Sequence, residues 1–136
     1  MHKNSLLFLC TGNSCRSQMA EGFSNQLQLN NKFQIYSAGV EAHGLNPRAV
    51  EVMNEVGVDI SHHRSQIVRD DELFQYNLII TLCGDARDRC PILSSSNNNI
   101  HWNLEDPANA KGSEDKIMDI YRKVRDQIFI NIKTLL

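Results

Sequence analysis

Residues Cys10-Thr11-Gly12-Asn13-Ser14-Cys15-Arg16-Ser17 concentrate the reactive chemistry of this chain. A cysteine stands six positions ahead of an arginine, with small residues between them. Thr11, Gly12, Asn13 and Ser14 let the backbone fold closely, so successive N–H groups from residue 11 to 16 can converge and cradle an oxyanion. Arg16 supplies a planar fork for two oxygens of a tetrahedral anion, and Ser17 can donate to the sulfur. N–H donors, a helix N-terminus and a guanidinium all favour a thiolate, so Cys10 is the expected nucleophile. Cys15 is read as a packed loop residue that lends only its backbone to the cradle. Spacing alone proves little, because Cys83 and Arg89 repeat it. That second loop carries Asp85 and Asp88, whose carboxylates would repel the anion the first loop attracts.

Such a loop needs rigid neighbours. Ser5 to Leu9, just before it, is a short continuous apolar run that suits a strand buried on both faces. From Ser17 the spacing of Ala20, Phe23 and Leu27 marks one face of a helix, which the polar Asn30-Asn31 ends. Phe33 to Tyr36 reads as a second strand. Gly39 and Gly44 mark a turn, Asn46-Pro47 an N-cap with proline in the first helical position, and Gly57 the far end of that helix. A polar segment from Ser61 to Asp71 precedes Leu78 to Leu82, branched and uncharged, the clearest strand in the chain. It runs directly into Cys83-Gly84. Pro91 and the tract Ser94 to Asn99 read as loop, and Ile100 to Trp102 as a fourth strand, with Trp102 in the core. The last element starts at Ser113, with Glu114 and Asp115 in its first turn. Its apolar positions Ile117, Ile120, Val124, Ile128 and Ile132 describe a long amphipathic helix. Ser94 to Asn99 and Asn109 to Gly112 are candidate mobile loops.

Strands alternating with helices predict an α/β protein with a mostly parallel sheet of about four strands covered on both faces. Ligands of such sheets gather at the carboxyl ends of the strands, where Cys10 and Cys83 both stand. A length of 136 residues supports one domain, 1–136, large enough for a core without disulfide staples. The net charge of -2, from 14 basic and 16 acidic residues, leaves no footprint for nucleic acid or an anionic membrane. The N-terminal apolar run Leu6 to Cys10 is far too short for a membrane span and lacks a signal-peptide pattern, so a cytoplasmic protein is expected. There cysteines are seldom staples. Cys10-x4-Cys15 fits zinc spacing, but Cys83-x6-Cys90 does not, and metal would occupy the nucleophile, so no metal is expected on these thiols. His43, His62 and His63 show no spacing that pairs them with the loop and read as surface or loop positions.

These segments together carry a resemblance over nearly the whole chain. Cys10 to Glu21 (CTGNSCRSQMAE), Tyr36 to Gly39 (YSAG), His43 to Pro47 (HGLNP), Thr81 to Cys83 (TLC), Cys90 to Leu93 (CPIL) and Asp106 to Ala108 (DPA) resemble the thioredoxin-coupled arsenate reductases, which share the low-molecular-weight protein tyrosine phosphatase fold. The resemblance implies a four-stranded parallel sheet flanked by helices, with arsenate held in the loop after the first strand. It implies that Cys10 attacks arsenate, that Cys83 releases arsenite, and that Cys90 then attacks Cys83. A Cys83–Cys90 disulfide would remain for reduced thioredoxin, with no bound cofactor. Asp106 corresponds to the family's general acid. Some members use potassium beside the loop. The corresponding positions are Asn13, Glu21, Ser37 and Gln66, the last an aspartate in those members, so a potassium site here is expected to be weak. A monomer is expected, in an arsenic-detoxifying role with weak phosphatase activity beside it.

The relay makes a physical demand. Seven helical steps of ~1.5 Å would separate Cys83 and Cys90 by about 10 Å, whereas a disulfide tolerates about 7 Å between Cα atoms. A helical segment would therefore have to unwind on oxidation, with Gly84 and Pro91 at its ends and Asp85, Arg87, Asp88 and Arg89 solvating the opened loop. Two other readings stand beside this one. A tyrosine phosphatase would need only Cys10, Arg16 and Asp106, but Ala108 replaces the aromatic residue that typically lines its cleft. A non-catalytic anion-binding or redox-sensing module would show no turnover.

Overall fold

The computed structural model describes residues 3–82 and 98–136. Cys83, Cys90 and the 84–97 segment between and after them lie outside the described residues. Four strands, β1 (Asn4–Cys10), β2 (Phe33–Gly39), β3 (Leu78–Thr81) and β4 (Asn98–His101), form one sheet in the order β2-β1-β3-β4. Every pairing is parallel, with Leu6 opposite both Ile35 and Leu78. The chain leaves β1 toward one side to make β2 and returns on the other to make β3. The carboxyl end of β1 therefore lies at the switch point where such sheets bind ligands.

Period-two alternation divides the strand side chains between two cores. Leu6, Phe8 and Cys10 of β1 join Ile80 and Leu82 against α1 (Arg16–Gln26), α2 (Pro47–Asn54) and α3 (Glu114–Lys133). Leu7 and Leu9 face the opposite way with Ile79, Ala38, Val68 and Leu73. Among the described residues this second face is covered by the segment around the short 3-10 helix Asp70–Gln75. Cys10 thus points to the face that α1 covers, and β1 delivers it fully wrapped by backbone.

The ends of the helices carry the chemistry expected of them. Asn46 caps α2 by accepting from Arg48 N and Ala49 N, with Pro47 in the first turn, and Ser113 caps α3 by accepting from Lys116 N. In α3 the buried stripe is Met118, Tyr121, Val124, Arg125, Ile128 and Ile132. Tyr121 replaces Ile120 as the inward residue. Trp102 is half-buried and tilts against Phe8 with ring centroids 6.1 Å apart. No helix among the described residues is long and apolar enough to cross a membrane.

Candidate active site

The loop between β1 and α1 is tied down from outside. Thr11 O, Gly12 O and Ser14 O accept the backbone N–H groups of Glu41 (2.9 Å), His43 (3.0 Å) and Asn46 (3.0 Å). Asn13 O accepts Gln18 Nε2 (3.0 Å) and Ser65 Oγ (2.7 Å). All described peptides are trans. Each outward carbonyl therefore turns the next N–H the opposite way, so those of Gly12, Asn13, Ser14 and Cys15 point away from these partners. Asn13 closes the curve in the left-handed region at φ 45°, a conformation asparagine tolerates better than most residues. Gly39 is required at the end of β2, where a Cβ would stand 2.6–2.7 Å from Thr11 O, Glu41 O and Asn13 N.

A hydrogen-bonded chain orients the hydroxyl beside the sulfur. The Gln66 backbone N–H donates to Asn13 Oδ1 (2.8 Å), which fixes the oxygen end of that amide and leaves Nδ2 to donate to Ser17 Oγ (2.8 Å). Ser17 Oγ lies 2.9 Å from Cys10 Sγ. With Asn13 Nδ2 donating to it, the Ser17 oxygen keeps one further lone pair and its own proton, so the hydroxyl can pair with the Cys10 sulfur in either protonation state. Both Cys10 and Ser17 are buried.

Arg16 is buried too, at 2% exposure. Its Nη1 donates to Leu104 O (3.0 Å), and Nη2 lies 3.6 Å from Asp106 Oδ2. Asp106 in turn caps the short helix Pro107–Asn109 by accepting from Ala108 N. A cavity of about 80 Å³ opens among these groups, lined by the loop, Cys10, Arg16, Asp106, Ala108 and His43. Burial pushes the Cys15 thiol well above its ordinary range, with Cys10 and Asp106 adding to the effect and Arg16 opposing it. Cys15 therefore stays protonated at neutral pH.

The positions that correspond to potassium ligands are bonded to the chain itself. Asn13 Oδ1 accepts from Gln18 Nε2 as well as from Gln66 N. Glu21 Oε1 accepts the Ser37 hydroxyl (2.7 Å), and its Oε2 faces His63 Nε2 at 3.4 Å. Asn13 Oδ1 thus accepts twice and Glu21 Oε1 once, which leaves a hard cation few open oxygens in this set. Among the described residues no group of three or more His, Cys, Asp or Glu side chains could hold a metal ion.

Cys10, Arg16, Ser17 and Asp106 thus come together, while Cys83 and Cys90 lie outside the described residues. Leu82, immediately before Cys83, donates to Leu9 O (2.9 Å), one residue before Cys10. Three further residues serve the site in ways their place in the linear motifs does not reveal. Gln18 is fully buried and bridges Asn13, Arg64 O and the His63 ring. Gly39 permits the close approach of two loops, and His43, in an exposed loop position as expected, also lines the cavity. His63 stands in a loop, as expected, with its side chain packed inward at 7% exposure. Burial pulls its pKa down despite the opposing Glu21, so this contact joins a carboxylate to a neutral ring at pH 7.

The fold and this site define a low-molecular-weight phosphatase-like domain, and comparison with known proteins agrees. The low molecular weight phosphotyrosine protein phosphatase family matches residues 5–136, and the chain belongs to it. Over 133 residues it is 50% identical to the arsenate reductase of Bacillus licheniformis, covering 98% of this chain and 95% of that one. Among solved structures it superposes on an arsenate reductase in the phosphate binding state with a TM-score of 0.79 and 32% identity, covering 97% of this chain and 95% of that one. A thioredoxin-dependent arsenate reductase of Corynebacterium glutamicum gives a TM-score of 0.67 at 27% identity, covering 98% of this chain and 62% of that one.

Proposed function

We propose that this protein reduces arsenate to arsenite, with Cys10 as the nucleophile, Cys83 and Cys90 as the relay and thioredoxin as the electron donor. The observation that carries this reading is the buried Cys10 sulfur, 2.9 Å from the Ser17 hydroxyl, at an oxyanion-sized cavity walled by Arg16. Half-identity to an arsenate reductase supports the choice of substrate.

The steps follow from the groups present. The loop N–H groups and Arg16 hold the oxyanion, and the Cys10 thiolate attacks arsenic. Asp106 supplies the proton with which one oxygen leaves as water. The Cys83 thiolate then attacks Cys10 Sγ, and the sulfur–arsenic bond breaks with its electron pair passing to arsenic. Arsenate has become arsenite, and two thiols have become a Cys10–Cys83 disulfide. Cys90 attacks Cys83 and frees Cys10, and the thioredoxin dithiol reduces the Cys83–Cys90 disulfide. The same loop, Arg16 and Asp106 would support weak hydrolysis of aryl phosphates, which needs water in place of the second thiol.

Turnover of arsenate coupled to thioredoxin, its reductase and a nicotinamide cofactor tests the scheme beside hydrolysis of an aryl phosphate. Cys83→Ser is expected to abolish arsenate turnover and to spare phosphate hydrolysis. Arsenate reduction by this variant at the wild-type rate would overturn the relay.

A further inference from the structure

His43 and Glu41 stand at the mouth of the anion cavity, and the scheme above gives neither a role. The His43 backbone N–H donates to Gly12 O (3.0 Å). Its ring presses so closely on the loop that a Cβ at Gly12 would collide with Nδ1 and Cγ. The far nitrogen, Nε2, lies 2.5 Å from Glu41 Oε2. The ring itself lines the cavity together with Cys10, Arg16 and Asp106.

The Glu41 contact decides how this ring can act. An ionised carboxylate only accepts, so Nε2 carries the proton shared with Glu41. In the neutral ring Nδ1 then turns a lone pair toward the loop, which an oxyanion would repel. In the imidazolium the same atom turns an N–H toward it, and an oxyanion accepts from that group. We propose that His43 is an anion-binding residue whose Nδ1–H, in the imidazolium held by Glu41, donates to an oxygen of a tetrahedral oxyanion, so that anion binding takes up a proton at this ring. The proposal rests on the reading of the loop as an oxyanion site. Among the described residues, the charged and titratable groups facing the ring are Glu41 beside it and Cys10, Cys15, Arg16 and Asp106 across the cavity. Arg16 opposes protonation and is itself engaged by Asp106, Cys15 stays neutral, and Glu41 is in direct contact.

Sulfate is the suitable probe, because it is tetrahedral, unreactive and a dianion throughout the histidine range. Its affinity for the reduced protein is measured by calorimetry from about pH 5.5 to about pH 8. Wild-type affinity is expected to fall as pH rises. At the acid end His43→Asn should bind sulfate about tenfold more weakly, with a flatter pH dependence, and Glu41→Gln should weaken binding in the same direction. Any contribution from Cys10 is common to all three proteins. A second measurement needs no variant: at the midpoint of its own titration, the His43 Cε1–H resonance of the wild-type protein should move toward its imidazolium position when sulfate is added. Wild-type affinity and slope in folded His43→Asn, or an unmoved His43 resonance in a sulfate-saturated protein, would overturn this inference and leave the oxyanion site standing. Failure of the wild-type protein to bind sulfate at any of these pH values would overturn both.

Discussion

Ser17 bonds to two groups, and removing its hydroxyl disturbs both. Ser17→Ala takes away the hydroxyl bonded to Cys10 Sγ and leaves the buried Asn13 Nδ2 without its acceptor. The turnover number with arsenate is expected to fall about tenfold, equivalent to ~1.4 kcal/mol in the barrier. Stability in urea should fall by about 1–3 kcal/mol, the cost of a buried donor left unpaired. If steady-state turnover is unchanged, the hydroxyl does not serve the sulfur. Cys10, Arg16 and Ser17 were legible in the chain because one loop and one helix start contain them all, so their chemistry is local. Gln18, Gly39 and His43 were not. Gln18 works by reaching Arg64 O and His63, Gly39 by what it lets approach, and His43 by a backbone bond to Gly12. Each of these facts joins segments that only the folded topology brings together.

Among the elements, the junction between β2 and the anion loop is the least forgiving. Gly39→Ala would drive a methyl group against three backbone atoms at 2.6–2.7 Å, none of which can rotate aside. A destabilisation of about 1–3 kcal/mol is expected in chemical denaturation, accompanied by weaker sulfate binding because the displaced atoms include Thr11 O and Asn13 N. An unaltered sulfate affinity would show that the loop is held independently of β2. Most strands and helices were legible from apolar periodicity, and the departures have physical causes. β2 continues past Tyr36 to Gly39 because the small residues Ser37, Ala38 and Gly39 pair with Phe8, Leu9 and Cys10 of β1. β4 starts at Asn98 rather than Ile100, since Asn98 and Asn99 pair with Leu78 and Ile79 of β3. The 3-10 helix Asp70–Gln75 fell within and beyond a stretch read as polar; Leu73, in its interior, is the residue it buries under the sheet.

Across the whole molecule, α2 and α3 are joined by a cluster of charges around Glu55. Arg122 and Arg125 both donate to its carboxylate, and Arg125 also reaches Val52 O. The Arg122 hydrogen bond, aided by Arg125, holds the Glu55 carboxyl below its ordinary value. A carboxyl lowered in this way adds stability above its unfolded pKa of about 4.3, and that stability is lost as pH falls through the lower folded value. Glu55→Gln is therefore expected to destabilise the protein at pH 7 by about 0.5–1 kcal/mol, the scale of a solvent-screened pair. The difference from wild type should shrink as denaturation is followed from about pH 5 to about pH 3. A constant difference would mean that packing, not charge, is what Glu55 provides. The anion loop has a counterpart consequence at this scale. Its carbonyls from Thr11 to Ser14 are engaged by Glu41, His43, Asn46, Gln18 and Ser65, all groups of the chain itself. Ordering those peptides is thus part of folding and not of recognition, so an arriving oxyanion meets a receptor already set, and its affinity is governed by charge and desolvation with little entropy of loop closure left to oppose it.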